Sequence, residues 1–282
     1  MSAVVLDGKV IAAEAEEQIK KRVDALRSNG IQPGLLVILV GDDPASQTYV
    51  KNKENACARL GIYSETLRLP TDTRQEELER IILAANQNPR FHGILVQLPL
   101  PKGLDENELL SLIVPEKDVD GFHAMNMGKL CRGEKCTVSC TPKGVLYMLD
   151  SAKIPIDGKN AVVIGRSNIV GKPMAMLLLS RNATVTVCHS HTENLKQITK
   201  QADILVAAIG KPRFVTADMV KPGAVVVDIG INRVDGKLCG DVDFESVSEV
   251  AGTITPVPGG VGKMTIAMLM DNTVSAAERK IQ

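Results

Sequence analysis

Short, uninterrupted apolar runs alternate with helix-period patterns along the first hundred residues. Leu35–Val40 and Ile94–Leu98 are such runs, each bounded by glycine or proline, as strands buried on both faces require. Thr66–Leu69 adds a third strand pattern between them. Strands that alternate with helices in this order form parallel sheets, because a crossover helix must carry the chain back to the starting edge. The first half of the chain is therefore predicted to be an α/β domain.

Helix signals fill the gaps between these strands. Asp7 is predicted to cap a first helix, and a second helix is predicted from about Ser46 to Gly61. Thr73 and Glu76 have the spacing of a capping box, in which each side chain binds the other residue's backbone N–H. This pair predicts the start of a third helix.

The pattern lapses between Pro115 and Cys140, which indicates an interdomain crossing. Thr141-Pro142 then predicts an N-cap with proline at the first helical position. A second α/β series follows, with strands predicted at Ala161–Ile164, Thr184–Cys188, Ile204–Ala208 and Ala224–Ile229. A last helix, from about Met264 to Lys280, is predicted to pack back on the first domain.

The predicted fold is therefore α/β with two domains. Residues 1–120 together with 265–282 are expected to form an N-terminal α/β catalytic domain. Residues 140–264 are expected to form a Rossmann-like nucleotide-binding domain. A length of 282 residues suits two domains, since one domain usually takes about 100–200 residues.

Composition narrows the class of partner. Lys plus Arg and Asp plus Glu are balanced at 33 each, and no basic tail is present, which argues against non-specific nucleic-acid binding. No apolar run reaches the roughly 18–20 residues that span a bilayer, and Met1–Val10 lacks the pattern of a secretory leader. We therefore expect a cytosolic protein with a small-molecule partner and no membrane contact.

The six cysteines predict neither a disulfide framework nor a metal site. Cys131, Cys136 and Cys140 lie close together in the chain, but their spacing matches no common zinc pattern and a fourth ligand is missing. We expect reduced thiols and no bound metal.

A glycine turn in the second domain predicts a dinucleotide site. Gly165 follows a predicted strand and Gly171 opens the next helix, where backbone N–H groups face a pyrophosphate. The spacing is not that of the GxGxxG fingerprint. The prediction of a dinucleotide site therefore rests on where the turn lies, after the first strand of the second α/β series. After the second strand no carboxylate precedes Glu193, whereas Arg166 and Ser190 are suited to hold a 2′-phosphate. The pattern favours NADP, although a solvated loop is the alternative for Arg166.

Gly260-Val261-Gly262-Lys263 resembles part of a phosphate-binding P-loop but fails the full pattern. A P-loop needs glycine where Val257 stands and Ser or Thr where Met264 stands. The segment therefore does not indicate an NTPase.

Polar residues in the first domain are candidates for chemistry. Tyr49 and Lys53 lie four residues apart on a predicted helix and share a face, although most such pairs are ordinary surface residues. Gln97 is an amide inside an apolar strand, so it must find partners, either structural or functional. Asp118 and Asp120 follow a further strand–helix unit; one is a candidate for a polar substrate edge, and the other is expected to cap a turn.

Four ordered motifs are similar to the bifunctional methylenetetrahydrofolate dehydrogenase/cyclohydrolase family. The motifs are 86–101 (NQNPRFHGILVQLPLP), 115–121 (PEKDVDG), 165–167 (GRS) and 255–262 (TPVPGGVG). The resemblance covers essentially the whole chain. It implies NADP-dependent oxidation of 5,10-methylenetetrahydrofolate and hydrolysis of the product to 10-formyltetrahydrofolate, in one-carbon metabolism and purine biosynthesis. It also implies a homodimer.

The resemblance implies a role for particular residues. Lys53 would transfer protons in the hydrolysis, Gln97 would position or tune it, Tyr49 would stack on the folate and Asp120 would bind the pterin edge. The implied folate-binding residues are Tyr49, Lys53, Val96, Gln97, Leu98, Asp120, Pro258, Gly259, Gly260, Val261 and Gly262. The implied NADP-binding residues are Gly165, Arg166, Ser167, Ser190 and Ile231.

Lys263 departs from the family pattern, which has proline at that position. Lysine is flexible at a helix start, and its charge opposes the helix dipole. We hypothesise that Lys263 attracts the glutamate tail of the substrate. Three alternatives stay open at this point: a dehydrogenase without cyclohydrolase activity, a different NADP reductase such as a shikimate-dehydrogenase-like enzyme, and a non-catalytic nucleotide-binding module.

Overall fold

The structure is a computed structural model that describes residues 2–280. Met1 and Ile281–Gln282, at the ends of the predicted first domain, lie outside the described residues. The chain divides into two units. One comprises Glu14–Cys140 and the chain from Ile266 onward, and the other comprises Thr141–Thr265 and the chain up to Ala13. We call them the three-strand unit and the six-strand unit, after their main sheets.

The three-strand unit is built on a fully parallel sheet. Its strands are β2 (Gly34–Val40), β3 (Tyr63–Leu69) and β4 (Gly93–Val96), in the spatial order β3-β2-β4. Leu35 lies opposite Ser64 on one side and Gly93 on the other. Every residue of β2 and β4 is buried, which explains why both read as continuous apolar runs. The predicted βαβαβ arrangement is confirmed.

Helices cover this sheet. They are the part of α1 (Gly8–Ser28) that begins at Glu14, α2 (Pro44–Leu60), α3 (Gln75–Gln87), α4 (Glu106–Ser111), α5 (Ala124–Cys131) and the part of α10 (Val261–Glu278) that begins at Ile266. Asp7 Oδ1 accepts from Lys9 N at 2.8 Å, so the predicted first cap is present. The C-terminal helix joins the unit formed by the first half of the chain, as predicted.

The six-strand unit is the Rossmann-like part of the chain. Its sheet has the order β1-β11-β8-β7-β5-β6, and all its pairings are parallel. The strands are β1 (Val4–Val5), β5 (Asn160–Ile164), β6 (Thr184–Cys188), β7 (Ile204–Ala207), β8 (Val225–Asp228) and β11 (Thr253–Ile254). The chain leaves β5 for β6 on one side and later returns to β7 on the other. Ligands bind at such a change of direction, beyond the carboxyl ends of the strands.

Smaller elements complete this unit. They are α6 (Cys140–Ser151), α7 (Gly171–Ser180), α8 (Leu195–Thr199), α9 (Phe244–Ser248), a 3-10 turn (Ala217–Met219) and an antiparallel hairpin of β9 (Asn232–Val234) and β10 (Lys237–Cys239). The hairpin follows β8 directly and returns the chain to Asp241.

Two predicted helix caps are wrong. Thr73 Oγ1 donates to the Pro70 carbonyl at 2.7 Å, so the hydroxyl stabilises the preceding turn, and α3 begins after Arg74 without a side-chain cap. The predicted Thr141-Pro142 cap lies inside α6, which already begins at Cys140. In both places a hydroxyl residue marks a helix start to within two residues but does not act as the cap.

Strand pairing assigns the N-terminus differently from the predicted domain limits. Val4 and Val5 pair with Thr253 and Ile254, so the chain up to Ala13 belongs to the six-strand unit. A two-residue strand is too short to give a periodic pattern, which is why the sequence did not reveal it. The assignment of residues 1–120 and 265–282 to a catalytic domain, and of residues 140–264 to a nucleotide-binding domain, stays a prediction.

Candidate functional site

The turn between β2 and α2 places two candidate side chains. Asp43 Oδ2 accepts from Ser46 N at 2.7 Å, and Pro44 occupies the first helical position, so α2 begins directly beyond the carboxyl end of β2. Tyr49 and Lys53 then lie one turn apart on α2. Tyr49 is 41% exposed, so its ring is available for stacking on a ligand.

Gln97 joins the neighbouring strand to the lysine. Its backbone N–H donates to Ile38 O at 2.8 Å, which extends the β2–β4 pairing by one residue beyond Val96. Its side-chain Nε2 donates to Leu98 O at 2.6 Å, and its Oε1 accepts from Lys53 Nζ at 2.9 Å. Because both ends of the amide are engaged, the oxygen is held toward Lys53. The buried amide of Gln97 therefore has the Lys53 ammonium as its side-chain partner.

Lys53 and Asp120 influence each other's proton affinity. Burial lowers the pKa of the Lys53 ammonium below its ordinary value of 10.5, and the Asp120 carboxylate opposes that change. Burial raises the pKa of Asp120 to about 6, with Lys53 acting in the opposite direction. A lysine with a lowered pKa loses its proton more readily, which suits it to accept and return a proton in catalysis.

The two acids of the 115–121 motif have different environments. The Asp118 carboxylate is buried and accepts from the backbone N–H groups of Gly121, Phe122 and His123 at 2.9–3.2 Å. Asn126 Nδ2 adds a fourth bond at 2.8 Å. Asp118 therefore orders a turn, as expected of one of the pair. Asp120 is the acid whose charge interacts with that of Lys53.

Two further residues border this group and were missed by the sequence reasoning. Cys140 Sγ lies 3.3 Å from Val119 O and 3.9 Å from Asp120 Oδ1. Asn272 Nδ2 donates to Val119 O at 2.8 Å and to Val138 O at 2.9 Å, which fixes the backbone beside Asp120. An asparagine in the middle of the C-terminal helix was the available signal, since a buried amide there needs partners.

The glycine turn after β5 borders a cavity in the six-strand unit. Gly165 has φ +126°, and a Cβ there would lie 2.2 Å from Ala208 O, so only glycine allows the two strand ends to approach this closely. The cavity has a volume of about 480 Å³. Its lining comprises Ile164, Gly165, Arg166, His189, Ser190, Thr192, Leu195, Ala208, Ile209, Lys211 and Phe214.

The predicted cofactor residues occupy different parts of this unit. Arg166 and Ser190 are exposed and line the cavity. Ser167 Oγ accepts from the N–H groups of Val170 and Gly171 at 3.2 and 3.3 Å, so its hydroxyl orders the start of α7. Ile231 is 48% exposed and follows β8; it does not line the cavity.

The predicted folate residues fall into two groups. Tyr49, Lys53, Val96, Gln97, Leu98 and Asp120 belong to the three-strand unit, where Lys53, Gln97 and Asp120 come together. Pro258, Gly259, Gly260, Val261 and Gly262 belong to the six-strand unit. There a Cβ on Gly262 would lie 3.4 Å from Ile231 Cδ1, which brings a folate candidate beside an NADP candidate.

The structure adds two observations on metals and membranes. Among residues 2–280, no group of three or more His, Cys, Asp or Glu side chains is placed to hold a metal ion. None of the helices in that range is both long and apolar enough to cross a bilayer.

Family profiles match both halves of the chain. A profile described as tetrahydrofolate dehydrogenase/cyclohydrolase, catalytic domain, matches residues 6–120. A second, described as tetrahydrofolate dehydrogenase/cyclohydrolase, NAD(P)-binding domain, matches residues 139–281.

Individual relatives match over nearly their full length. Bifunctional protein FolD from Moorella thermoacetica is 59% identical over 99% of this chain and 100% of the relative. The crystal structure of the bifunctional FolD dehydrogenase/cyclohydrolase from Campylobacter jejuni has a TM-score of 0.97 at 49% identity, covering 99% of this chain and 100% of that one. A Trypanosoma brucei dehydrogenase–cyclohydrolase, complexed with NADP cofactor and inhibitor, has a TM-score of 0.95 at 39% identity, covering 100% and 99%.

Proposed function

The chain belongs to the tetrahydrofolate dehydrogenase/cyclohydrolase family, and from that premise we propose how its residues divide the work. The enzyme oxidises 5,10-methylenetetrahydrofolate to the methenyl form with NADP and hydrolyses that product to 10-formyltetrahydrofolate. Lys53, Gln97, Tyr49 and Asp120 of the three-strand unit carry the folate chemistry. Gly165, Arg166, Ser167, Ser190 and Ile231 of the six-strand unit serve the cofactor.

One observation carries the assignment of the hydrolytic step. Lys53 Nζ is held 2.9 Å from Gln97 Oε1, and burial lowers its pKa while Asp120 limits the change. These are the requirements for a proton-transfer group: a fixed position and a pKa moved toward the working pH. A surface lysine would meet neither requirement.

The proton transfers balance within this arrangement. Water adds to the electrophilic methenyl carbon, and the Lys53 amine takes a proton from it. That proton returns to N5 of the folate as its bond to the carbon breaks, and the hydroxyl left on the carbon releases its own proton to solvent, which leaves a neutral formyl group on N10. Gln97 holds Lys53 in place throughout and undergoes no chemical change.

The nucleotide cavity fits NADP better than NAD. Gly165 lets the turn after β5 lie against Ala208, where a Cβ would clash, and Arg166 and Ser190 line the cavity after β5 and β6. No carboxylate follows β6 before Glu193, so the usual acceptor for an unmodified ribose is missing. The NADP bound to the Trypanosoma brucei relative supports the same choice. NADP, when bound, supplies the hydride acceptor.

Pro258–Gly262 border the folate in this proposal, and Lys263 attracts its glutamate tail. Lys263 is exposed in the first turn of α10, and its N–H donates to Gly260 O at 3.2 Å. Replacing Lys263 by proline removes both the charge and that N–H. The proposal expects a higher KM for polyglutamylated folate in Lys263→Pro; an unchanged or lower KM contradicts it.

A cytosolic homodimer is the proposed working form. None of the six cysteines, all of which lie within residues 2–280, forms a disulfide, which suits a reducing compartment. β3 has β2 on one side only within the described residues, and its outer edge is a suitable surface for a second copy. Light scattering on the purified protein measures the mass, and a monomer at micromolar concentration contradicts the dimer.

The function is tested by following methenyl-folate formation and decay spectrophotometrically, with NADP and NAD in parallel. Wild type is expected to form the product with NADP and to accelerate its decay. Lys53→Gln should lose the accelerated decay by at least about 100-fold, because general acid–base catalysis contributes that much, while hydride transfer continues.

Lys51→Gln is the matched control, since Lys51 lies on the same helix, is exposed and forms an ion pair with Glu54 at 3.6 Å. Equal losses in both variants contradict the role of Lys53. Formation without accelerated decay in wild type identifies a dehydrogenase alone.

A further inference from the structure

One carboxylate organises the wall of the nucleotide cavity that follows β7. Asp241 is fully buried. Its Oδ2 accepts from Ile209 N at 2.7 Å and Gly210 N at 3.0 Å, and its Oδ1 accepts from Lys211 N at 2.8 Å. Three consecutive backbone N–H groups thus converge on a single carboxylate, in the manner of an anion-binding nest. Ile209 and Lys211 are cavity-lining residues.

The same carboxylate reaches the hairpin of β9 and β10. Asn232 Nδ2 donates to Asp241 Oδ1 at 2.9 Å. A second buried carboxylate, Asp228, lies behind it and accepts from the N–H groups of Gly230, Asp241 and Val242, each at 2.9 Å. We call Asp228, Asp241 and the glycines Gly230 and Gly240 the aspartate clasp.

Glycines make room for both carboxylates. A Cβ at Gly230 would lie 2.2 Å from Asp241 Oδ1, and a Cβ at Gly240 would lie 1.8 Å from Asp228 Oδ2. Side chains at these positions are therefore incompatible with the observed bonds. Glycine is therefore required at both positions for the two carboxylates to bond the backbone N–H groups.

A purely structural role does not explain two adjacent buried carboxylates. Burial and the neighbouring Asp241 raise the pKa of Asp228 to about 6, against the hydrogen bonds from Val242, Asp241 and Gly230. Apolar residues of similar size usually stabilise a core at least as well as buried charge does. The two carboxylates instead fix the orientation of the backbone, because each oxygen accepts hydrogen bonds from particular N–H groups.

We propose that Asp241 is a positioning residue of the nucleotide site, which holds Ile209–Lys211 in the conformation that receives NADP. It does so through backbone bonds and does not itself line the cavity. Because the Ile209–Lys211 N–H groups are occupied by the carboxylate, this segment presents its side chains and carbonyl oxygens to the ligand. The inference rests on the proposed function, since NADP is taken as the occupant.

The test compares Asp241→Asn with Asp243→Asn. An amide at position 241 has only one acceptor oxygen and sets an NH2 group against backbone donors. Asp243 lies two residues away, and its carboxylate accepts from Ser246 Oγ at 2.7 Å. NADP affinity is measured by isothermal titration calorimetry. Cyclohydrolase kcat/KM is measured on methenyl-folate without nucleotide, and thermal unfolding by circular dichroism.

Asp241→Asn is expected to bind NADP at least about tenfold more weakly, with the KM for NADP raised in parallel, because two of the four donors lose their acceptor oxygen. Its nucleotide-free cyclohydrolase kcat/KM should stay within about twofold of wild type, whereas general unfolding would reduce that as well. Asp243→Asn should match wild type in both assays. Unchanged NADP affinity in folded Asp241→Asn overturns the proposal, and so does an equal loss in Asp243→Asn.

Asn232→Ala provides a second measure if Asp241→Asn does not fold. It removes one of the four bonds and keeps the carboxylate, so a loss of about two- to fivefold in NADP affinity is expected. Unchanged affinity in this variant counts against the proposal. A wild-type protein that binds no NADP and shows neither activity overturns the proposed function instead, so the two failures are distinguishable.

Discussion

Lys53 and Asp120 carry opposite charges in partly buried positions, and neither is at its ordinary proton affinity. Desolvation disfavours both charges, while their mutual attraction favours both. Gln97 adds a neutral acceptor for the lysine, which fixes Nζ without adding charge. The balance leaves the lysine easier to deprotonate and the aspartate easier to protonate than in water. Such a pair lowers the stability of the fold, as expected if it has the catalytic role proposed above.

The stability effect of Asp120 is measurable. Its pKa is raised from 3.8 to about 6, so the folded protein binds this proton more tightly than the unfolded chain. The wild type should therefore lose stability, relative to Asp120→Asn, as the pH rises from about 4 to about 6. Above pH 6 the variant is expected to be more stable by up to about 3 kcal/mol, and near pH 4 the difference should close.

Urea unfolding followed by circular dichroism between pH 4 and 7.5 measures this difference. Asp157→Asn, which changes an exposed carboxylate, serves as the control. A variant that is no more stable than wild type above pH 6 would mean that Lys53 fully compensates the buried charge.

At this scale the sequence predicted several residues for physical reasons. Gln97 was identifiable because an amide in an apolar strand needs partners, and Asp118 because one of two nearby acids should order the turn. Asp241 was not identifiable, because it meets Ile209–Lys211 only through the folding of an intervening hairpin. Three of its four hydrogen-bond partners described above are backbone N–H groups, which cannot be recognised from the type of residue that carries them.

At the scale of elements, the turn from β5 to α7 determines where the cavity lies. Gly165 brings that turn against Ala208, the first residue after β7, and Gly171 lets α7 begin close to the Gly165 carbonyl. The ends of β5 and β7 therefore lie too close together for a side chain at Gly165. The shape of the cavity depends on this approach.

Gly165→Ala is expected to destabilise the protein by at least about 2 kcal/mol more than Gly158→Ala. Both glycines have positive φ, +126° and +69°, but a Cβ at Gly158 meets nothing within 4 Å. Gly158→Ala therefore reports backbone strain alone, and Gly165→Ala adds a clash at 2.2 Å with Ala208 O. Chemical denaturation of both variants gives the difference; equal losses would mean that the backbone there yields easily.

Elements differed in how well the sequence predicted them. Fully buried strands such as β2 were predicted within a residue, because continuous apolar runs are distinctive. Helix starts were less accurate at Thr73 and Thr141, since a hydroxyl that satisfies a preceding turn resembles a cap in sequence. The strands β1 and β11, of two residues each, were too short to show a period.

On the scale of the whole molecule, neither unit is a single continuous segment of the chain. α1 starts in the six-strand unit and continues into the three-strand unit, and α10 does the same from the other end of the sequence. Within the three-strand unit the two helices are joined by Arg22. Its guanidinium donates to Glu278 at 2.7 and 2.8 Å, to Ser275 at 2.9 Å and to Asp271.

Arg22→Gln is expected to lower the free energy of unfolding by about 1–2 kcal/mol, a value reduced because the arginine side chain is 35% exposed. Arg59→Gln, which breaks a more exposed pair with Glu16, should cost less than about 1 kcal/mol. Urea titrations at low and high salt compare them. If both variants lose the same free energy of unfolding, the Arg22 bonds between α1 and α10 stabilise the protein no more than a surface ion pair does.

The aspartate clasp has a consequence for how the sequence is able to change over time. Each glycine faces the carboxylate of the other half, Gly230 against Asp241 and Gly240 against Asp228. A larger residue at either glycine is excluded while the aspartate remains, and loss of an aspartate leaves buried donors without an acceptor. A single substitution at any of these four positions is therefore expected to disrupt the hydrogen bonds of the clasp, in whatever order substitutions arise. The group is expected to be inherited as one unit, replaced together or not at all.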